Sequence, residues 1–243
     1  MSRPAGSYVR RIILGAPDTA TVVAALEDDF HRFALTLHHD GARVTGCTGE
    51  AIRYPWSECP GALTVLSELK DVPLARRGTS ISAHVDSHAN CTHLFDLAGL
   101  AVAHAAAGRT RREYLAVVPD RDPEGRTHAR LSCDGTEMLA WEVAGLQVQS
   151  PSPYSGVQLR GGFLKWAAEH LADEEAEWAT VLRRACEISW GRQAPLDGLE
   201  RAVEVGDFMI GVCHTFTAGR AEVALRIKGS VRDFSGRPEA LLA

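Results

Sequence analysis

An Asp-Gly pair stands twice in this chain between stretches of alternating apolar residues, at 40–41 and at 134–135. That dipeptide suits a tight turn between right-twisted strands, so each flanked pair predicts a hairpin of antiparallel strands. In the first, Phe33, Leu35 and Leu37 alternate before the turn, and Val44 opens a return strand that ends near Pro55. In the second, 127–133 leads in and 136–149 leads out, with 113–118 as a further strand before them. Ile12 to Leu14 read as a short edge strand.

Helical spacing appears between and after the hairpins. Pro60 suits a first helical position, and Ala62, Val65, Leu66 and Leu69 follow at helical intervals. After Cys91, the residues Leu94, Leu97, Ala98, Ala101, Val102 and Ala105 line one face of a second helix. The stretches 163–171 and 174–191 read as two more, the latter burying Trp178, Val181, Leu182, Ala185 and Ile188. Two final strands are expected over 208–216 and 220–229. Hairpins and helices in separate runs give an α+β class. The basic break GRTRR at 108–112 divides the chain into 1–108 and 109–243.

Composition narrows the partners. With 45% hydrophobic residues among 243, the chain can bury a full core. No run approaches the ~18 apolar residues of a membrane helix, and the N-terminal apolar stretch is too short for a secretion signal. A net charge of −5, with no long basic block, argues against a nucleic-acid partner. Six cysteines without an export signal read as reduced thiols of the cytoplasm. A small-molecule substrate is the expected partner, and oligomeric state stays open.

Chemistry-bearing residues crowd between Cys59 and His104. Cys59 and Cys91 each precede a helix, where the macrodipole and free N–H groups favour a thiolate. Together with His93 they would supply three ligands of a zinc or iron site, leaving a fourth position for water. The competing reading is that both cysteines are core residues and His93 caps its helix. His84 and His88 stand four apart in the HVDSH segment, within a polar loop over 71–92. If residues 76–90 close over the site as a mobile lid, either histidine serves as a further ligand or as a general acid or base. Asp96 is the carboxylate best placed to move a proton. In the second half, Tyr154 and Arg183 are candidates to orient a carboxylate or phenol. Its aromatics, among them Trp141, Phe163 and Trp166, would wall a pocket. Cys213 and His214 would face opposite sides of a strand, which sets Cys213 aside as core. Cys47, Cys133 and Cys186 have no partner spacing.

The segments FHRFALTLHHDGARV, YPWSECPGAL, CTHLFDLAG and GSVRDFS resemble the bacterial domain-of-unknown-function family 2889, over most of the chain. CPGA followed by CTHL is the most specific part, and the family implies no reaction. Residues 28–107 are also similar in layout to the iron–sulfur scaffold proteins of the NifU and SufE fold. That resemblance implies one α+β module with a metal site at an exposed tip. Cys59 would match the middle scaffold cysteine. Cys91 and His93 would match the later His-Cys pair, in reversed order and one residue further apart. His31 would stand near the first ligand, where those scaffolds carry Cys. Read from the strand alone, His31 is a half-buried structural residue. The exchange of Cys for His points to a mixed zinc or iron site. The expected function is therefore a metal-dependent enzyme on a small catabolic substrate, by hydration, dehydration, isomerisation or hydrolysis. A sulfur or iron–sulfur carrier, and a binding protein with structural zinc, are the alternatives.

Overall fold

Both Asp-Gly pairs turn as expected, with Gly41 at φ 91° and Gly135 at φ 83°. The computed structural model describes residues 6–243. Its strands are β1 (Ser7–Asp18), β2 (Thr21–Asp28), β3 (Arg32–His39), β4 (Val44–Arg53), β5 (Arg111–Pro119), β6 (Arg126–Cys133), β7 (Thr136–Ala144) and β8 (Gln147–Ser150). Its α-helices are α1 (Thr92–Ala106), α2 (Phe163–His170) and α3 (Asp173–Ile188). The class is α+β, with strands hydrogen-bonded in the order β4-β3-β2-β1-β5-β6-β7-β8. Among the described residues no helix is long and apolar enough to cross a membrane.

The chain forms two compact units, neither continuous in sequence. One holds Ile13–Arg112 and Pro195–Arg232; the other holds residues 6–12, Glu113–Ala194 and Asp233–Ala243. The expected boundary at 108–109 lies close to the break after Arg112. The contiguous halves do not survive it, because the chain returns to the first unit at Pro195 and leaves it again at Asp233. β1 passes from one unit to the other between Ile12 and Ile13.

In the first unit β2 and β3 pair with Val22 opposite Leu37, Ala24 opposite Leu35 and Leu26 opposite Phe33. All six are buried, so one face of the hairpin is apolar throughout. α1 packs on that face. It was expected to bury one stripe, but every residue from His93 to His104 except Asp96 is buried. The cover on its other side is a 3₁₀ segment, Gly78–Ala83. There Gly78 meets Gly99: a methyl on Gly99 would stand 2.7 Å from the Gly78 carbonyl oxygen. The helix expected after Cys59 is a 3₁₀ segment, Cys59–Leu69, packed on β4; it buries Cys59 together with Ala62, Val65, Leu66 and Leu69, the four that the spacing required.

The two strands expected over 208–216 and 220–229 do not form. Gly211, at φ 81°, breaks the first with a left-handed turn. The second makes only the single bridges Trp56 to Arg226 and Arg201 to Leu225. Its alternating Val223, Leu225 and Ile227 point outward, while Ala221, Ala224 and Arg226 are buried. The segment is held by side-chain packing against Trp56, Cys59 and Phe216 instead of a ladder.

In the second unit the strand expected over 136–149 is two, β7 and β8, turning at Gly145. α3 lies on β6 and β7, and α2 on α3. Trp141 sits 5.0 Å from Tyr154 and 6.1 Å from Phe163, ring centre to ring centre. Trp166 completes the group at 5.7 Å from Tyr154. These aromatics contact one another, with Trp141, Tyr154 and Phe163 buried and Trp166 half-buried.

Candidate metal centre

The turn between β2 and β3 is organised by one carboxylate. Asp28 ends β2, fully buried, and its Oδ1 accepts the backbone N–H groups of Phe30 and His31, each at 2.8 Å. The Asp28 N–H donates to the His31 carbonyl at 2.9 Å. Such an Asx turn replaces missing ladder bonds and fixes the side chain that makes it. Nδ1 of His31 lies 3.0 Å from the same oxygen. Arg53 at the end of β4 braces the turn from outside. Its guanidinium donates to the carbonyls of Asp28, Asp29 and His31 at 2.5, 3.0 and 3.2 Å, and to Glu27 Oε1 at 3.1 Å.

α1 brings the second imidazole. Cys91 is its N-cap residue, and His93 sits in the first turn facing β3. The rings of His31 and His93 stack at 3.7 Å with 28° between planes, and Phe33 flanks both, 5.8 Å from His31 and 6.2 Å from His93. Cys91 Sγ lies 3.7 Å from His93 Nδ1. Donor atoms of Asp28, His31 and His93 all fall within 4.8 Å of one another, and all three residues are buried. One carboxylate and two imidazoles form a ligand set for zinc or iron that leaves coordination positions open to water or substrate.

Of the four expected ligands, the structure gathers His31, His93 and Cys91 at one place. Asp28 was missed. Its signal was the Asp-x-x-His spacing across a turn, hidden because a strand reading of His31 assigns the preceding acids to solvent. Cys59 stands apart from the triad, its Sγ accepting the Thr215 hydroxyl at 3.4 Å. A lowered thiol pKa at the helix starts is not found. Burial pushes Cys59 from its ordinary 9.0 up to about 12 and pushes Cys91 up as well, with Cys213 adding to both shifts. Desolvation outweighs the dipole of a short 3₁₀ start and of an N-cap enclosed by side chains.

His84 and His88 are exposed. His88 Nδ1 lies 2.9 Å from the Gly211 carbonyl, and its N–H donates to Asp86 Oδ1 at 2.8 Å. Ile81 and Val85 pin the 76–90 segment as buried anchors. Asp96 is half-buried one helical turn after His93, on the same side of α1. Tyr154 and Arg183 belong to the other unit and are engaged there. The Tyr154 hydroxyl donates to Glu175 Oε1 at 2.6 Å, with its pKa raised by burial and then by that carboxylate. Arg183 donates to the Leu159 carbonyl at 2.5 Å and to Glu187 at 3.0 Å. Both sets of contacts tie α3 to its surroundings. Comparison with models of known protein families and with curated proteins returned no match.

Proposed function

We propose that this chain is a metal-dependent enzyme acting on a small substrate, with a zinc or iron ion on Asp28, His31 and His93. The single observation that carries the reading is the convergence of those three buried donors within 4.8 Å. The ion supplies Lewis acidity, polarising a carbonyl or hydroxyl or lowering the pKa of a bound water. Hydration, dehydration, isomerisation and hydrolysis are the reactions such a site serves. Asp96, one turn along α1, is the group assigned to move the proton.

The free cysteines leave a second reading, a sulfur or iron–sulfur carrier. Against it, Cys59 is 7% and Cys91 6% exposed, and a carrier must present its thiolate to an acceptor. A binding protein with a structural zinc would use the same triad without turnover. The test is metal analysis of protein purified without a metal-binding tag. Zinc or iron should accompany the wild type, fall away in His93→Ala and Asp28→Asn, and remain in Asp96→Asn. In a survey of small hydroxy- and oxo-acids, Asp96→Asn should then lack the wild-type turnover. An ion content unchanged by His93→Ala would sink the reading; ion loss without any turnover would favour structural zinc.

A further inference from the structure

We infer that Cys91 is the positioning residue of the candidate metal centre: its sulfur holds the His93 ring in the one setting that turns Nε2 to the ion. The inference rests on the metal reading above and adds a residue to it. The faces of the ring meet other rings. His31 stacks on it at 3.7 Å with 28° between planes, and Phe33 lies 6.2 Å away at 24°. Stacking fixes the plane of an imidazole and nothing more. A half-turn about the Cβ–Cγ bond returns the ring to the same plane, and that torsion of histidine is broad and roughly two-fold. The half-turn exchanges Nδ1 with Cδ2 and Nε2 with Cε1. A carbon would then stand where the donor belongs, so the stacking alone does not make His93 a ligand.

What separates the two settings is a contact on the ring edge. Cys91 Sγ lies 3.7 Å from His93 Nδ1, and both residues are buried. Thr92 Oγ1 stands 3.5 Å from the same nitrogen, outside the span of about 2.7–3.2 Å for an N–H···O bond. Sulfur has the larger radius and is in contact at its distance. An N–H at Nδ1 gives that sulfur a proton to accept, and a C–H in its place does not. With the proton on Nδ1, Nε2 keeps its lone pair, which is the form in which a histidine holds a metal. The backbone keeps the sulfur where it is needed. Cys91 is the N-cap of α1, extended at ψ 125°, and its carbonyl accepts the Phe95 N–H at 2.9 Å. One residue earlier, the Asn90 carbonyl accepts the His214 N–H at 2.9 Å. Sulfur and ring therefore leave one anchored turn. Cys91 acts through His93 and not on the ion, for the donors gathered within 4.8 Å are those of Asp28, His31 and His93.

The experiment uses the full chain, reduced and stripped by chelator, with zinc alone as the probe. Zinc affinity, read by competition with a coloured chelator, should fall roughly tenfold in Cys91→Ala, the low end of what partners of metal-bound histidines supply. Cys91→Val should lose as much. Cys91→Ser should recover part of the loss, because a hydroxyl also accepts. Urea midpoints of the metal-free variants separate this from packing. Packing ranks Val above Ser, since a buried hydroxyl is costly; positioning ranks Ser above Val, and only the affinities should follow that second order. Thr92→Val should bind zinc as the wild type does. Long-range proton–nitrogen NMR of the zinc-loaded wild type should show His93 protonated at Nδ1 and bound through Nε2. That measurement needs no variant, so it decides even if Cys91→Ala fails to fold. Unchanged affinity in Cys91→Ala, or His93 bound through Nδ1, would overturn the assignment and leave the metal reading standing. A thiolate-to-metal charge-transfer band with cobalt(II), lost in Cys91→Ser, would overturn it by making Cys91 a ligand. A wild type that takes up no zinc would remove the metal reading, and this assignment with it.

Discussion

Arg53 is the residue on which the proposed triad leans hardest. A guanidinium that gathers three carbonyls and a carboxylate at the β2–β3 turn cannot be replaced by solvent there. Removing it leaves buried acceptors unpaired and takes from the buried Glu27 the nearer of its two arginines, Arg32 standing at 3.9 Å. Arg53→Met should therefore cost about 3 kcal/mol in urea unfolding. Arg53→Lys should recover only part, because one ammonium cannot reach the same fork of acceptors. The thiols make a second prediction. Burial lifts Cys47, Cys59 and Cys186 from their ordinary 9.0 to about 12. The unfolded chain releases these protons near 9, while the folded chain holds them to about 12, so it binds more protons across that window. Stability of the metal-free protein is thus full below pH 9 and falls as pH rises toward 12. Urea midpoints taken across that range should show the decline, and Cys59→Ser should flatten it. At this scale the sequence told much about the site. Residue type and helix position marked Cys91 and His93, while His31 entered only through the resemblance in layout to the scaffold proteins. Asp28 was not marked, since its role follows from a turn that only the β2–β3 register defines.

Between elements, the closest approach is α1 against the Gly78–Ala83 segment. Two glycines there put backbone on backbone, with no side chain to yield. Gly99→Ala should gain ~1 kcal/mol of helix propensity. Overpacking should outweigh that gain, for a net loss of about 2 kcal/mol by thermal or urea unfolding. Faster hydrogen exchange in 76–90 should accompany it, because the 3₁₀ segment must move. Periodicity disclosed where α1, α2 and α3 lie, and both Asp-Gly hairpins. It did not disclose β2, whose Ala24 and Ala25 blur the alternation, nor that α1 is enclosed on both sides. The expected strands over 208–229 failed for a related reason. Alternation there reflects outward Val223, Leu225 and Ile227, and a strand needs a partner edge as well as a pattern.

On the scale of the whole molecule, a ligand that binds only the folded chain must raise its stability. Zinc at a hundredfold excess over its dissociation constant should add about 2.7 kcal/mol for each occupied site. Differential scanning should show the rise in wild type and none in His93→Ala. The discontinuous units were not legible in the sequence, because the return at Pro195 brings together segments that share no local period. That path has a consequence for biosynthesis. Asp28, His31 and His93 are made early and lie on neighbouring elements of one stretch. The returning segment Pro195–Arg232 follows only after the whole of Glu113–Ala194 has been translated. A growing chain can therefore close the carboxylate–imidazole group before the segments that complete both units have been made.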